Sequence, residues 1–245
     1  MFRSRNFYFR VRGELALFTN PATKGGGERS SYSVPTRQAL QGIVDAIYFK
    51  PTITNIVTEV KICHQIQTEL HGVRALLANY GADLSYVSYL SDVEYLVKCH
   101  FIWNEDRPDL MHDRLPNKHE AIMARSIRKG GRRDVFLGTR ECLGLVDAIS
   151  QEEYEQAEVA YADQTIDFGI MFHSFNYPKD KSESLKSYFT HTVMENGCIR
   201  FKEQKDCEIM NTLSSYAFKT TGQVKSVEEE FAIYQADEEG EKGGS

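Results

Sequence analysis

The order of secondary-structure signals over residues 5–146 predicts an α+β protein: a ferredoxin-like (RRM-like, βαββαβ) domain followed by a small C-terminal antiparallel β-sheet. Three observations carry this expectation. Asn6 to Arg12 alternates strictly, with Phe7, Phe9 and Val11 against Tyr8, Arg10 and Arg12, the period of a half-buried strand. Two stretches, after Pro35 and after Asn117, space their apolar residues for helices. Runs rich in β-branched and aromatic residues lie on either side of both.

In chain order, Leu15 to Phe18 extends the first strand. Thr19 to Ser33 is a polar loop with Gly25-Gly26-Gly27 between Lys24 and Arg29. The glycines let backbone approach a ligand, but Walker spacing is absent. Pro35 opens a helix with Leu40, Ile43, Val44 and Ile47 on one face, and Pro51 ends it, leaving Tyr48 in the last turn. Thr52 to Leu70 reads as a strand broken near His64, Val73 to Tyr89 fits neither period, and Val93 to Trp103 is a strand. Asn104 to Pro116 reads as a linker. Asn117 and Glu120 form a capping-box variant that starts a helix at Lys118; Ala121, Ile122, Met123 and Ile127 supply its buried side, and Gly130-Gly131 stop it. Asp134 to Val146 is expected as one strand, and Ser150 with Glu153 caps a helix reaching Tyr161. Asp167 to His173 alternates, and Asn196-Gly197 marks a hairpin. The expected division is a main domain over 1–189, a sheet extension over 190–227 and an acidic tail over 228–245, partly disordered.

At 245 residues the chain can bury a full core. No apolar run approaches the ~18 residues of a membrane span, and the N-terminus lacks the apolar core of a signal peptide. Five cysteines without tight spacing suggest reduced thiols and a cytoplasmic protein. Cys63-His64 and Cys99-His100 are neighbours on strands and point to opposite faces, so neither pair chelates one ion easily; no metal site or cofactor is expected. The net charge of −6 misleads as a guide to partners, because seven acids stand against Lys242 alone in 228–245. Among the first fifty residues, eight cations face three acids.

The sharpest local signal is Asn117 to Gly144. Between Lys118 and Arg140, seven cations (Lys118, Arg125, Arg128, Lys129, Arg132, Arg133 and Arg140) face Glu120 and Asp134. Lys118 and His119 are expected in the first two helical positions, where free N–H groups and the helix dipole favour a phosphate. A histidine there exchanges a proton near neutrality, and the lysine is a fixed cation beside the same anion. By spacing alone, two ordinary exposed first-turn residues are the more common explanation of the pattern, and Tyr48 reads as packing.

FRVRGELALFTNP, PTRQALQGIVDAIYFKP, NKHEAIMARSIRKGGRRDVFLGTREC and the span around FGIMFHSFNYP together resemble the subtype I-C member of the fifth CRISPR-associated protein family. The resemblance implies a ferredoxin-like body and a metal-independent endoribonuclease that cuts the repeat hairpin of precursor CRISPR RNA. It places a catalytic tyrosine, lysine and histidine on Tyr48, Lys118 and His119. Arg128, Lys129, Arg132 and Arg133 would then hold the hairpin backbone, with the Lys24–Arg29 loop as a second contact. Implied partners are the repeat hairpin and the other subunits of the type I-C interference complex. A non-catalytic subunit capping the guide RNA is one alternative. A double-stranded DNA binder or metal-dependent DNA nuclease is another.

Overall fold

The computed structural model describes residues 2–23, 28–76, 82–178 and 183–215. Lys24, residues 216–227 of the expected sheet extension and the acidic tail at 228–245 lie outside the described residues.

Strand β1 (Phe7–Ala16) buries Phe7, Phe9 and Val11 and turns Arg12 to solvent, following the alternation in the sequence. A short strand β2 (Arg29–Ser30) precedes helix α1 (Arg37–Ile47), whose first turn is capped by Thr36 Oγ1 accepting from the Ala39 N–H at 3.2 Å. Leu40, Ile43, Val44 and Ile47 form the buried stripe of α1. The stretch Thr52 to Leu70 is broken around His64, as expected, into β3 (Ile53–Ile62) and β4 (Thr68–Leu76), the latter running on past Leu70. The ambiguous stretch Val73 to Tyr89 belongs to the ribbon formed by β4 with β5 (Ala82–Trp103), in register from Thr68 opposite Leu90 to Leu76 opposite Ala82.

After a 3₁₀ segment at Pro108–Asp113 come α2 (Pro116–Arg128), β6 (Val135–Phe136), β7 (Leu143–Ala148) and α3 (Gln151–Gln156). Asp134 to Val146 is therefore two short strands, not one. Gly138 between them has φ +101° and lies so close to Leu17 that a Cβ would sit 1.9 Å from its carbonyl oxygen. The Ser150–Glu153 capping box is present, but α3 stops at Gln156, well before Tyr161.

The chain closes with β8 (Thr165–Asn176), β9 (Ser184–Glu195), β10 (Cys198–Arg200) and β11 (Ile209–Ser215). Asn196 and Gly197, both at positive φ, turn β9 into β10 as their sequence predicts.

The result is a mixed α/β protein dominated by one antiparallel sheet. Its central order is β7–β1–β5–β3, every pair antiparallel. From β3 the sheet continues through β10 to β9, which also pairs with β8 and β11. The C-terminal strands extend the main sheet, and the expected division at 189/190 falls inside β9. The core lies where Phe7, Phe9, Val97, Cys99 and Phe101 of the sheet meet α1 together with Met123 and Ile127 of α2. Each such side chain contributes about 1.5–3 kcal/mol by leaving water. This packing fixes the end of α1 against the beginning of α2.

Candidate active site

At the end of α1 the chain leaves the helix at Tyr48 in an extended conformation, φ −156° and ψ 118°, while its N–H still bonds Val44 O at 2.9 Å. Asn55 Nδ2 donates to the Tyr48 carbonyl at 2.8 Å and to Asp45 at 2.8 Å, tying β3 to this turn. The Tyr48 side chain is fully buried, and its hydroxyl lies 2.8 Å from His119 Nδ1. His119, also 0% exposed, stands edge-on to Trp103, and its Nε2 lies 2.8 Å from the Asp113 carbonyl oxygen. A carbonyl only accepts, so Nε2 carries the proton and Nδ1 accepts from the Tyr48 hydroxyl. Burial, then the nearby Asp113 carboxylate, push the Tyr48 phenol above its ordinary value, against a smaller pull from Arg132.

The opening of α2 differs from the expected capping box. Pro116 takes the first helical position, where its missing N–H costs nothing, and the cap residue, Leu115, makes no side-chain bond. Lys118 and His119 are therefore the third and fourth helical residues, and the His119 N–H is spent on Leu115 O at 3.2 Å. Glu120 instead receives the Arg5 N–H at 3.1 Å, and the Arg5 guanidinium lies 3.7 Å away.

Asp113 is the member of the site that sequence reasoning missed. Its carboxylate takes the Lys118 ammonium and the Thr52 hydroxyl, the latter at 2.7 Å, and its Oδ2 lies 3.5 Å from His119 Nε2. These partners, Lys118 first, pull its pKa down to about 2. An anion thus already occupies the place where a phosphate would meet both Lys118 and His119.

The basic turn reaches the same spot by a different route. Gly131 (φ +109°) lets the chain reverse after α2, so that the Arg132 and Arg133 N–H groups bond Ile47 O and Ala46 O, each at 3.2 Å. This caps α1 and sets the Arg132 guanidinium 5.7 Å from the centre of the Tyr48 ring. Arg128, Lys129, Arg132 and Arg133 are exposed, and none has an ion pair among the described residues. Arg29 is exposed on β2, opposite Val87, far along β5 from the Trp103 that packs on His119. The structure therefore joins Tyr48, Lys118, His119 and Arg132, sets Arg128 and Lys129 at the opposite end of α2 from Lys118 and His119, and leaves Arg29 apart.

The family model described as CRISPR-associated protein (Cas_Cas5) matches residues 7–202, four-fifths of the sequence. The chain belongs to this family. A curated relative from Thermus thermophilus, named CRISPR pre-crRNA endoribonuclease Cas5d, is 33% identical over 143 residues, covering 54% of this chain and 59% of the relative. The chain thus spans about three-fifths of that relative's length in the match. Two solved structures share the fold at a TM-score of 0.76. One is a functionally uncharacterized protein, SMU1763c, from Streptococcus mutans, 70% identical, covering 86% of this chain and all of that one. The other is a CRISPR-associated protein, 69% identical, covering 86% of this chain and 99% of its own.

Proposed function

We propose that this chain is a metal-independent endoribonuclease that cuts the repeat hairpin of precursor CRISPR RNA. The observation that carries the reading is one hydrogen-bonded cluster, Tyr48–His119–Asp113–Lys118, holding a hydroxyl, an imidazole and an ammonium around a carboxylate. Family membership and the name of the Thermus thermophilus relative support the substrate. The order β7–β1–β5–β3, with α1 and α2 as crossovers, supports a ferredoxin-like reading of the body.

In the proposed reaction the RNA phosphate displaces the Asp113 carboxylate from Lys118. The ribose 2′-oxygen attacks the adjacent phosphorus, and the bond to the leaving 5′-oxygen breaks. Tyr48 takes the 2′-hydroxyl proton as it passes its own to His119 Nδ1, a relay suited to a phenol whose burial disfavours a standing phenolate. His119 Nε2–H, released from the Asp113 carbonyl, protonates the leaving oxygen. Lys118 stabilises the charge on the non-bridging oxygens. The products are a 2′,3′-cyclic phosphate and a 5′-hydroxyl. Arg128, Lys129, Arg132 and Arg133 hold the hairpin backbone, and the chain stays on the 5′ handle as a subunit of the type I-C interference complex.

The complete burial of Tyr48 and His119 favours a second reading, a subunit that caps the guide without cutting it. Incubation of a repeat hairpin with the chain in EDTA separates the two. The expected result is cleavage with a 2′,3′-cyclic phosphate end. Binding without cleavage supports the capping reading, and cleavage only on adding magnesium overturns the mechanism.

A further inference from the structure

Along one side of α2 runs a line of cations that continues past the cluster at its start. Lys118, Ile122, Arg125 and Lys129 stand at positions i, i+4, i+7 and i+11 and so share one stripe. Ser126, seven residues after His119 and buried like it, lies beside this stripe. The stripe therefore borders the flank of α2 that His119 turns to Tyr48. After the helix, Gly131 brings the chain back, and the Arg132 amide on Ile47 O holds that residue against the end of α1. Between helix and turn lies a notch of about 230 Å³, lined by Ile122, Arg125, Ser126, Lys129, Gly131 and Arg132.

Three of these six residues are cations and none is an acid. Arg125, Lys129 and Arg132 are exposed, and none has an ion pair or a side-chain hydrogen bond among the described residues. Asp113 and Glu120, at the other end of α2, are taken by Lys118 and Arg5. The helix dipole accounts for cations in the last turn. It does not account for two like charges four residues apart on one side, a pairing that destabilises a helix, nor for Arg132 folded back beside them. Such a hollow is most stable with an anion in it.

Size narrows the choice of anion. One water takes ~30 Å³ of liquid, so the notch has room for a phosphate with some of its water. It falls short of the ~300 Å³ at which pockets enclose a small molecule. Nor is this phosphate the one at the cluster. Arg125 lies about 10 Å past Lys118 along the helix axis, and the Lys118 ammonium is turned to Asp113, ahead of the helix.

We infer that the notch binds a second phosphate of the RNA strand that is cut, one flanking the scissile phosphate, with Arg125, Lys129 and Arg132 around it. The cut strand then runs along α2, from Lys118 toward Gly131, and not across it. Arg128 takes no part in this path, because it lines a different cleft, with Arg5 and Ala124. The inference rests on the RNA reading above and deepens it. It gives Arg125, which that reading leaves out, a place on the substrate. A second fixed point also presents the scissile phosphate to Lys118 in one position.

A scan of single neutralised phosphates, on the full chain, tests it. Repeat hairpins are made uncleavable by one 2′-deoxy nucleotide before the cut. Each carries one methylphosphonate, which is neutral, on either side of the cut or in the opposite strand of the stem. Affinities are read by fluorescence anisotropy at fixed salt. In the parent chain, one flanking methylphosphonate on the cut strand should weaken binding about tenfold, the sum expected of two partly exposed charge pairs. Arg125→Ala with Lys129→Ala, its fold checked by a melting curve, should weaken the unmodified hairpin by about the same factor. It should also remove most of the penalty at that one position and at no other. Arg125→Ala alone should remove part of it at the same position. Penalties equal to the parent's at every position overturn the inference. So does a change confined to the opposite strand, which would lay the stem across α2. Neither result touches the nuclease reading if the all-ribose hairpin is still cut. A parent chain that shows the coupling but never cuts keeps the notch and overturns the nuclease reading, and one that does not bind the hairpin overturns both.

Discussion

Asp113 sets the resting state of the site, because it occupies Lys118 with its carboxylate and His119 with its carbonyl. If RNA must displace that carboxylate, Asp113→Asn should bind the hairpin about fivefold more tightly, the ~1 kcal/mol expected of one partly exposed ion pair. Fluorescence anisotropy at fixed salt reads this, and weaker binding would make Asp113 a support for Lys118 instead. The same carboxylate carries an acid signature. Its folded pKa, about 2, lies below the ordinary 3.8, so its stabilisation is complete above about pH 4 and disappears as the pH falls through about 2. The melting-temperature gap between the parent chain and Asp113→Asn should therefore close over that window. At the residues proposed to move protons, His119→Ala should lower the cleavage rate about 10²–10⁴-fold with hairpin affinity kept. Tyr48→Phe should also lose rate, and it leaves His119 Nδ1 without a donor, costing about 1–3 kcal/mol of stability. Normal cleavage by either variant would place the chemistry elsewhere.

At the scale of elements, the turn after α2 does two jobs, capping α1 through its amides and presenting its guanidiniums outward. Arg132→Ala with Arg133→Ala should lower the slope of log affinity against log salt by about 0.7–0.9 for each phosphate that the pair neutralises. Weaker binding with an unchanged slope would mean that the pair does not touch phosphate. Local chemistry makes several elements legible: the alternation of β1, the apolar stripe of α1, the Ser150 capping box and the Asn196-Gly197 hairpin. Others depend on partners distant in sequence. The first half of β5 has no clean alternation because it forms a ribbon with β4, on which Leu84 and Tyr86 stay exposed. The stretch 134–146 is broken by the close approach of Gly138 to Leu17. Motif context points to Tyr48, Lys118 and His119, and the structure brings them to one place. It does not point to Asp113, since nothing in the irregular linker marks it out from Glu105, Asp106 and Asp109, and its role exists only once that linker folds beside the start of α2.

Taken whole, the molecule sets two helices against one antiparallel sheet, so that the end of α1, the start of α2 and the basic turn converge. The net charge of −6 conceals this, because it owes its sign to the acids of 228–245, while Arg128, Lys129, Arg132 and Arg133 stand exposed after α2 and Arg132 reaches the Tyr48 ring. Such an arrangement draws a polyanion to one face, and the cluster beneath it would act on a single phosphate there. In the proposed reaction the ribose itself supplies the nucleophile. The measurement that tests it is cleavage, in EDTA, of a repeat hairpin with one 2′-deoxy nucleotide immediately before the cut. This substrate should bind as tightly as the all-ribose hairpin and stay uncut at that position, whereas cleavage at the normal rate would rule out the 2′-hydroxyl as nucleophile.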